Sequence, residues 1–426
     1  MTAAENYGRG RVVVVGQGYV GLPLAMRAVE VGYQVVGYDT DERRIKSLAA
    51  GESYIEDITD AQVAAALASG RYRPADKASA CAGFDVAVVT VPTPLKDGTP
   101  DLSYIEASAQ TLARFVRPGA TVILESTTYP GTTTELVLPI LEEGSGLMAG
   151  DDFSVGYSPE RIDPGNPSFG FSNTPKVVSG IDAESLAKVD AFYSSLVERT
   201  VPVSGVAEAE LTKLVENTFR HVNIALINEL AMFAADLEID VWEAIRAAST
   251  KPFGFMPFTP GPGVGGHCLP IDPSYLSWRV RRRLGQSFRF VELANDVNDH
   301  MPDYVARRLA AGLNTRRKAV NGSRILLLGL AYKRNSSDAR ESPSMVVADR
   351  LLALGAEVRA ADPHVVEGHV DSRVARVDAT VAEAAASDAV VLLTDHDAFD
   401  LPALAAAAPY FFDTRKRVEG PTVEHL

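Results

Sequence analysis

Cysteine is almost absent from this chain, with only Cys81 and Cys268 among 426 residues, which excludes a disulfide framework and a thiolate metal site. Long basic and long apolar runs are also missing. Arg279 with Arg281–Arg283 is typical of a solvated helix face, and Val12–Val15 is too short for a signal peptide or a membrane span. The formal charge is −14, from 41 basic and 55 acidic residues. We therefore expect a cytoplasmic protein without a nucleic-acid, membrane or metal partner.

The N-terminal part of the chain carries a dinucleotide-binding pattern. Val12–Val15 is a β-branched run, typical of a strand buried on both faces of a parallel sheet, and it ends in Gly16-Gln-Gly18-Tyr-Val-Gly21 before a helical pattern. Gly16 makes the tight turn, Gly18 lets a pyrophosphate approach the backbone, and Gly21 packs the helix on the strand. Asp39, which ends the next predicted strand, would accept hydrogen bonds from a ribose 2′-hydroxyl and repel a 2′-phosphate. The pattern predicts an NAD site.

Strands and helices continue to alternate on both sides of one long helical segment. The pattern from Glu208 to about Asp236 predicts a helix that connects two domains and that could form a dimer interface. The further predicted strands are Val86–Val91, Thr121–Glu125, Phe153–Tyr157, Arg324–Leu330, Glu357–Ala361, Ala389–Thr394 and Tyr410–Asp413. The fold class is therefore α/β, with two Rossmann-like doubly wound parallel-sheet domains joined by a long central helix.

The second sheet lacks a GxGxxG pattern and is expected to bind something other than a dinucleotide. Lys333 and Arg415 follow predicted strands of that sheet and favour an anionic ligand. Cys81 precedes the Val86–Val91 strand and is interpreted as a small core residue.

A glycine- and proline-rich loop, Pro260–Tyr275, presents the thiol of Cys268 with the carboxylate of Asp272 four residues later. The glycines of this loop allow positive φ angles and its prolines restrict the backbone around them, which favours a cysteine positioned as a nucleophile. The alternative is a turn with a buried thiol. Glu160 follows a predicted strand and could act as a base, but a loop carboxylate is more often only solvated. Lys213 and Asn217 lie at helical spacing and so share a face.

Together these motifs resemble the UDP-glucose/GDP-mannose dehydrogenase family over nearly the whole chain. The motifs that carry the resemblance are Gly16–Gly21 with Asp39, Val91–Pro94, Ser126-Thr127, Pro159-Glu160, Lys213 with Asn217, Gly265–Cys268 with Asp272, Gly329–Lys333, Arg340–Pro343 and Asp413–Arg415. The resemblance implies a four-electron oxidation of a sugar C6 alcohol to a carboxylate by two NAD in succession. It also implies at least a homodimer.

The resemblance also implies roles for individual residues. Cys268 would attack the aldehyde, Lys213 and Asn217 would stabilise the oxyanion, and Asp272 would orient water or act as a base. Glu160 and Thr127 would be a further base and a water-positioning residue. The expected cofactor-binding residues are Gly16, Gly18, Tyr19, Val20, Gly21, Asp39, Arg44, Pro92, Thr93, Ser126 and Thr127. The expected substrate-binding residues are Glu160, Arg161, Lys213, Asn217, Lys251, Phe255, Phe258, Gly265, Tyr332, Lys333 and Arg415.

The sequence departs from the glucose and mannose branches of that family. His267 precedes the cysteine where those branches usually have serine, and Ile271 replaces a lysine. His267 could lower the thiol pKa, but we favour a structural role because neighbouring side chains of an extended loop diverge. The stretches 157–166 and 251–255 look like the branch that oxidises UDP-N-acetylhexosamines. UDP-N-acetylglucosamine is therefore the expected substrate.

Several alternatives remain open at this point. UDP-glucose, dTDP-glucose or UDP-N-acetylmannosamine could be the substrate, and a non-catalytic nucleotide-sugar sensor could share the fold. A two-electron dehydrogenase of the 6-phosphogluconate type is disfavoured because it needs neither the cysteine nor a second sheet. The expected domains are an NAD-binding domain at 1–205, a central helical domain at 206–314 and a nucleotide-sugar-binding domain at 315–426.

Overall fold

The computed structural model describes residues 9–55, 57–96, 98–162, 166, 168–266, 269–365 and 370–426. The chain divides into two compact units, residues 1–216 and 217–426. The division falls inside the long helix predicted from the apolar pattern. The expectation of three domains at 1–205, 206–314 and 315–426 stays a prediction.

The first unit contains a sheet of eight strands among the described residues, with order β10-β9-β8-β7-β4-β1-β2-β3. Its strands, together with the short β5–β6 hairpin, are β1 (Arg11–Val15), β2 (Gln34–Tyr38), β3 (Tyr72–Ala75), β4 (Val86–Val89), β5 (Leu95–Lys96), β6 (Thr99–Pro100), β7 (Thr121–Leu124), β8 (Ser154–Tyr157), β9 (Lys176–Gly180) and β10 (Thr200–Pro202). The neighbouring strands from β3 to β8 run parallel, whereas β9 runs antiparallel to β8. The predicted α/β class with a doubly wound sheet is confirmed. The antiparallel pairing of β9 with β8 was not predicted.

Helices cover both faces of this sheet. They are α1 (Gly21–Glu30), α2 (Glu42–Ala50), α3 (Asp60–Ala68), α4 (Ser103–Ala113), α5 (Leu138–Ser145) and α6 (Ala183–Ser194). Val13 and Val15 pack into one buried cluster and Val12 and Val14 into another, so alternate residues of β1 face opposite layers. This explains the continuous valine run. Cys81 is fully buried in the first of these clusters, which confirms its predicted place in the core.

The long helix α7 spans Val206–Asp236, or 31 residues. At 1.5 Å per residue its length is roughly 46 Å. The second unit continues with α8 (Val241–Ala248), α9 (Asp272–Leu284), α10 (Arg289–Thr315), α11 (Pro343–Ala353), α12 (Val381–Ala385) and α13 (Leu401–Ala407). The predicted Arg-rich helix face is confirmed, because Arg281–Arg283 lie exposed in the last turn of α9.

The sheet of the second unit has the order β13-β12-β11-β14-β15-β16, and its described strands run parallel throughout. These strands are β11 (Arg324–Leu328), β12 (Glu357–Ala361), β13 (Ala375–Arg376), β14 (Ala389–Leu392), β15 (Phe411–Asp413) and β16 (Val423–His425). β11 and β14 each end two residues before the predicted bound. Leu330 is buried although its N–H donates to Asp362 instead of to a neighbouring strand, so hydrophobicity alone overestimates the strand.

Candidate active site

The turn after β1 has the geometry that the glycine pattern predicts. Gly16 has a φ of +91°, and a Cβ there would lie 2.7 Å from the carbonyl oxygen of Thr90. A Cβ on Gly21 would lie 1.9 Å from the carbonyl oxygen of Gly16. At Gly18 an added Cβ comes no closer than 3.9 Å to Arg44 Nη1 among the described atoms, so packing does not require glycine there. Close approach of a ligand is the remaining reason for glycine at that position.

Asp39 is held at the end of β2 by backbone and side-chain donors. Its Oδ2 accepts hydrogen bonds from the Gln17 N–H at 2.8 Å and from Arg44 Nη1 at 3.3 Å, and its Oδ1 accepts from the Asp41 N–H at 2.9 Å. The carboxylate is thereby fixed beside the glycine turn. These residues fit the ribose and pyrophosphate of NAD.

The other predicted cofactor residues lie on the same edge of the sheet. Tyr19 and Val20 precede α1, Pro92 and Thr93 follow β4, and Ser126 and Thr127 follow β7. Ser126 Oγ donates to the carbonyl oxygen of Val91 at 2.8 Å and so ties the last two loops together. Because β2, β1, β4 and β7 are neighbours in the order β7-β4-β1-β2, the sheet brings these predicted residues to one edge.

Glu160 is buried, so the expectation that a loop carboxylate is simply solvated is wrong here. Its Oε1 accepts from the backbone N–H groups of Arg161 at 2.6 Å and Ile162 at 2.5 Å. Its Oε2 lies 3.5 Å from Lys176 Nζ. Burial would raise the pKa of Glu160, but the charge of Lys176, a side-chain hydrogen bond with Glu125 and the bond from the Ile162 N–H lower it below the ordinary value, with Lys213 contributing in the same direction.

The first part of α7 faces the Glu160 loop. Lys213 is buried and lies near enough to Glu160 to stabilise its carboxylate. One turn along the helix, Glu216 makes a 2.7 Å ion pair with Arg161. Arg161, predicted to bind substrate, also donates to the carbonyl oxygen of Pro175 at 2.6 Å. The structure therefore groups Glu160, Arg161 and Lys213 within the first unit.

In the second unit, the glycine-rich loop packs against residues that follow strands of the second sheet. A Cβ on Gly265 would lie 2.8 Å from Cβ of Tyr332, and a Cβ on Gly266 would lie 2.7 Å from the Tyr332 ring. A Cβ on Gly261 would lie 2.8 Å from Arg415 Nη1. The close packing explains these glycines and places predicted substrate residues Tyr332 and Arg415 against the loop. The thiol of Cys268 and the ring of His267 lie outside the described residues.

Asp272 begins α9 and is buried, and the side-chain amide of Asn217 donates to its Oδ2 at 2.5 Å. Two residues predicted to act together are thus in direct contact. Lys333 follows β11 and is half-buried. Lys251 and Phe255 lie exposed in the loop after α8, while Phe258 packs edge-on against Phe219 with ring centroids 6.0 Å apart. The structure does not group Lys251 and Phe255 with Asn217 and Asp272.

Sequence reasoning missed two buried polar groups near these residues. The first group is Glu125 and Lys176, which form an ion pair beside Glu160. The second is Asn228, which accepts a hydrogen bond from the Gly261 N–H at 3.0 Å and donates one to Asn298. A charged residue beside an apolar strand, as in Thr121–Glu125 and Lys176–Gly180, is a signal that could have identified the first group. Asn228 and Asn298 carry no such local signal because they lie in separate helices.

Three family models match this chain in order. They describe the UDP-glucose/GDP-mannose dehydrogenase family: its NAD binding domain at residues 10–197, its central domain at 207–300 and its UDP binding domain at 326–420. The chain is 36% identical over 390 residues to the UDP-N-acetyl-D-mannosamine dehydrogenase of Pyrococcus horikoshii, covering 91% of this chain and 90% of the relative. It is 38% identical over 359 residues to the UDP-N-acetyl-D-glucosamine 6-dehydrogenase of Pseudomonas aeruginosa, covering 83% of each.

Among solved structures, the UDP-D-ManNAc dehydrogenase from Pyrococcus horikoshii superposes with a TM-score of 0.89 at 34% identity, covering 97% of this chain and 98% of that one. The chain belongs to the UDP-glucose/GDP-mannose dehydrogenase family. It is an NAD-dependent oxidoreductase that acts on CH–OH groups, so the sensor alternative is not supported.

Two features are absent from the described residues, a membrane-spanning helix and a cluster of metal ligands. No described helix combines the length and apolar character needed to cross a bilayer. Within the same part of the chain, no group of three or more His, Cys, Asp or Glu side chains could hold a metal ion. The cytoplasmic location inferred from the sequence stays a prediction.

Proposed function

We propose that this enzyme oxidises C6 of a UDP-N-acetylhexosamine to a carboxylate, with UDP-N-acetylglucosamine as the substrate. The contact between Asn217 and Asp272 is the observation that carries the proposal. An amide donor and a carboxylate meet there at the start of α9, which follows the Cys268 loop in the chain. An alcohol oxidation that stopped at the aldehyde would need no nucleophile there.

In the proposed reaction, one primary alcohol, two NAD⁺ and one water are converted to one carboxylate, two NADH and three protons. Bound NAD would supply the hydride acceptor for each of the two oxidations. After the first oxidation, the Cys268 thiolate bonds to the aldehyde carbon and gives a thiohemiacetal, which the second oxidation converts to a thioester. Water then adds to the thioester carbon, and the C–S bond breaks to return the thiol.

The other residues act on the charge and the protons of these steps. Lys213 and Asn217 stabilise the oxygen anion that forms at C6, since an ammonium and an amide donor are both suited to it. Asp272 receives a proton or orients water. Glu160, whose carboxylate is kept ionised, accepts a proton from the attacking water, with Thr127 helping to position that water.

In this proposal the cofactor and the nucleotide-sugar bind to residues from different parts of the chain. Gly16, Gly18, Gly21 and Asp39 would hold NAD, with Arg44 donating to the Asp39 carboxylate. Tyr332, Lys333 and Arg415 bind the UDP-sugar, with the cations directed to the diphosphate. Lys251, Phe255 and Phe258 would meet the sugar only after a rearrangement of the exposed loop that carries Lys251 and Phe255.

UDP-N-acetylmannosamine is the second candidate substrate. The similarity to the Pyrococcus horikoshii relative, which spans 91% of this chain, favours it. The stretches at 157–166 and 251–255 favour the glucosamine epimer. Both candidates carry a 2-acetamido group and differ only in configuration at C2.

A substrate panel tests the function. NADH formed per sugar consumed is measured with UDP-N-acetylglucosamine, UDP-N-acetylmannosamine, UDP-glucose and dTDP-glucose. We expect two NADH per UDP-N-acetylglucosamine and little from the glucose compounds. Two NADH from UDP-N-acetylmannosamine alone would move the assignment to the second candidate, and one NADH per sugar would contradict the thioester route.

We also propose that the enzyme is a homodimer that associates through α7. One side of this helix presents a stripe of apolar side chains, each between 39% and 54% exposed: Leu211, Val215, Phe219, Leu226, Leu230 and Phe233. Their spacing of mostly four residues keeps them on a single face. A continuous exposed apolar face of this length is typical of a protein–protein interface.

A further inference from the structure

Four titratable side chains form a buried cluster behind Glu160 in the first unit. Glu125 follows β7, Lys176 begins β9, Tyr193 lies on α6, and Glu160 follows β8. All four are buried. The cluster forms because β7, β8 and β9 are neighbours in the sheet and β9 runs antiparallel, which brings the first residue of β9 beside the last residues of β7 and β8.

Lys176 is shared by the two carboxylates of this cluster. Its ammonium makes a close ion pair with Glu125 Oε1, lies 3.5 Å from Glu160 Oε2, and donates to the carbonyl oxygen of Pro159 at 3.1 Å. The rings of Tyr193 and Phe171 lie with their centroids 5.2 Å and 5.8 Å from Nζ. The three acceptor oxygens and the two rings enclose the cation.

Each carboxylate also has donors of its own. Tyr193 Oη donates to Glu125 Oε2 at 2.8 Å, and the backbone N–H groups of Arg161 and Ile162 donate to Glu160 Oε1. Glu160 is therefore fixed at both oxygens, by the loop on one side and by Lys176 on the other. Its carboxyl plane cannot turn without losing one of these contacts.

One cation between two buried carboxylates leaves a net negative charge if both are ionised, which burial disfavours. Burial raises the pKa of Glu125, and Lys176 offsets only part of this rise. Burial would also raise the pKa of Glu160, but Lys176 and a side-chain hydrogen bond with Glu125 lower it. Burial would lower the pKa of Lys176, but the two carboxylates raise it. The cluster therefore stays near neutral with the ionised carboxylate on Glu160, which Lys213 of α7 also favours.

We propose that Lys176 and Glu125 are positioning residues for Glu160. Lys176 keeps the Glu160 carboxylate ionised and oriented, and Glu125 prevents the Lys176 ammonium from forming a closer ion pair with Glu160. A tight pair between Lys176 and Glu160 alone would make Glu160 a weaker base, because its lone pairs would be engaged by the ammonium. The ion pair with Glu125 holds the ammonium at 3.5 Å from Glu160 instead. The inference rests on the proposed function, in which Glu160 accepts a proton from the attacking water.

The test is the pH dependence of kcat in three variants. Lys176→Met should move the acid limb of kcat to higher pH by about one unit or more, because an opposite charge at this distance shifts a carboxyl by about that amount. Glu125→Gln should reduce the plateau of kcat, since Lys176 then pairs with Glu160 alone. Lys188→Met is the matched control, because Lys188 makes an ion pair with Glu184 at the surface of α6.

The double variant Glu125→Gln with Lys176→Met separates positioning from stability. It removes the cation and its main counterion together, so we expect its melting temperature to exceed that of Lys176→Met while the acid limb stays displaced. An acid limb at the wild-type position in the double variant would assign the pair a purely structural role and overturn the proposal. An unshifted limb in Lys176→Met would also overturn it.

The variant Glu160→Gln distinguishes a failure of the proposed base role of Glu160 from a failure of the positioning inference alone. We expect it to form NADH at first and then stall as a thioester, detected as a mass increase on the protein. Full turnover by this variant would overturn both the base role of Glu160 and the positioning inference. A stalled Glu160→Gln together with an unshifted limb in Lys176→Met would overturn the positioning inference alone.

Discussion

Asn217 and Asp272 lie 55 positions apart in the chain, and the side-chain amide of Asn217 donates a hydrogen bond of 2.5 Å to Oδ2 of Asp272. Asn217 belongs to the long helix α7, and Asp272 is the first residue of α9. The bond fixes the Asp272 side chain at the end of the loop that carries Cys268. A carboxylate at the N-terminus of α9 is further stabilised by the helix dipole.

The first prediction concerns this pair. Asn217→Ala removes the donor to Asp272 and to the proposed oxyanion, so we expect kcat to fall about 100-fold, the usual cost of one such donor. Asn217→Asp should lose at least as much, because it sets two carboxylates in contact. Asn223→Ala is the control, since that exposed amide on the same helix bonds only to the Phe219 carbonyl among the described residues. Full turnover by Asn217→Ala would exclude its proposed role.

The second prediction separates the two cysteines. Burial raises the pKa of the Cys81 thiol to about 11, so this thiol stays protonated and unreactive near neutral pH. Cys268→Ser should abolish uronate formation while NAD still binds, and Cys81→Ala should keep its turnover. Alkylation followed by peptide mass analysis should modify Cys268 first and be slowed by substrate. Uronate formation at the wild-type rate by Cys268→Ser would rule out the covalent route.

The third prediction addresses cofactor choice. Asp39→Ser removes the acceptor of the ribose and frees Arg44, which lies 3.3 Å from Asp39 Oδ2, to meet a 2′-phosphate. We expect the KM for NAD to rise at least about tenfold, the loss of a hydrogen bond to a charged group, and NADP to become a substrate. Asp41→Ser is the control, because serine can also cap α2. An unchanged preference for NAD would mean that other residues select it.

The fourth prediction concerns stability of the second sheet. Asp362 accepts four backbone N–H bonds, from Leu330, Ala331, His364 and Val365, and lies 3.0 Å from Nε2 of the buried His396. Burial would raise the pKa of Asp362, but the bonds from His396 and these N–H groups lower it well below the ordinary value. The ionised form therefore stabilises the fold above the unfolded pKa of about 3.9. This contribution disappears as the pH falls through the folded pKa.

Asp362→Asn should thus make the amides of β11 and the loop after it exchange faster at pH 7, with a loss of local stability of about 2 kcal/mol. The difference from wild type should shrink below about pH 4, where the carboxyl begins to protonate in the unfolded chain, and should disappear as the pH falls through the folded pKa. Asp371→Asn is the control, because its bonds to Arg373 are exposed. A difference that stays constant down to acid pH would show that charge on Asp362 is not responsible. Hydrogen exchange followed by mass spectrometry makes the measurement.

The sequence predicts the parts of the site that lie close together in the chain and fails where only the folded sheet brings residues together. Gly16, Gly21 and Asp39 are predictable because one strand–turn–helix–strand unit, from β1 to the end of β2, holds them. The burial of Glu160 could not be predicted, because nothing near it in the chain indicates Lys176, which reaches it through the antiparallel pairing of β8 and β9. Hydrophobic periodicity identified α7 as a helix, but periodicity cannot tell a face buried by the same chain from one left exposed.

The last prediction tests that exposed face. Leu230 lies 44% exposed within the apolar stripe of α7, and Phe233 on the same face is 54% exposed. A charged residue at an interface core must lose its hydration on association, so Leu230→Glu should convert the proposed dimer to a monomer in sedimentation velocity at micromolar concentration. Leu354→Glu is the matched control, because Leu354 is 48% exposed after the end of α11 and outside the stripe. A dimer that survives Leu230→Glu would place the interface elsewhere, and a monomeric wild type would contradict the dimer itself.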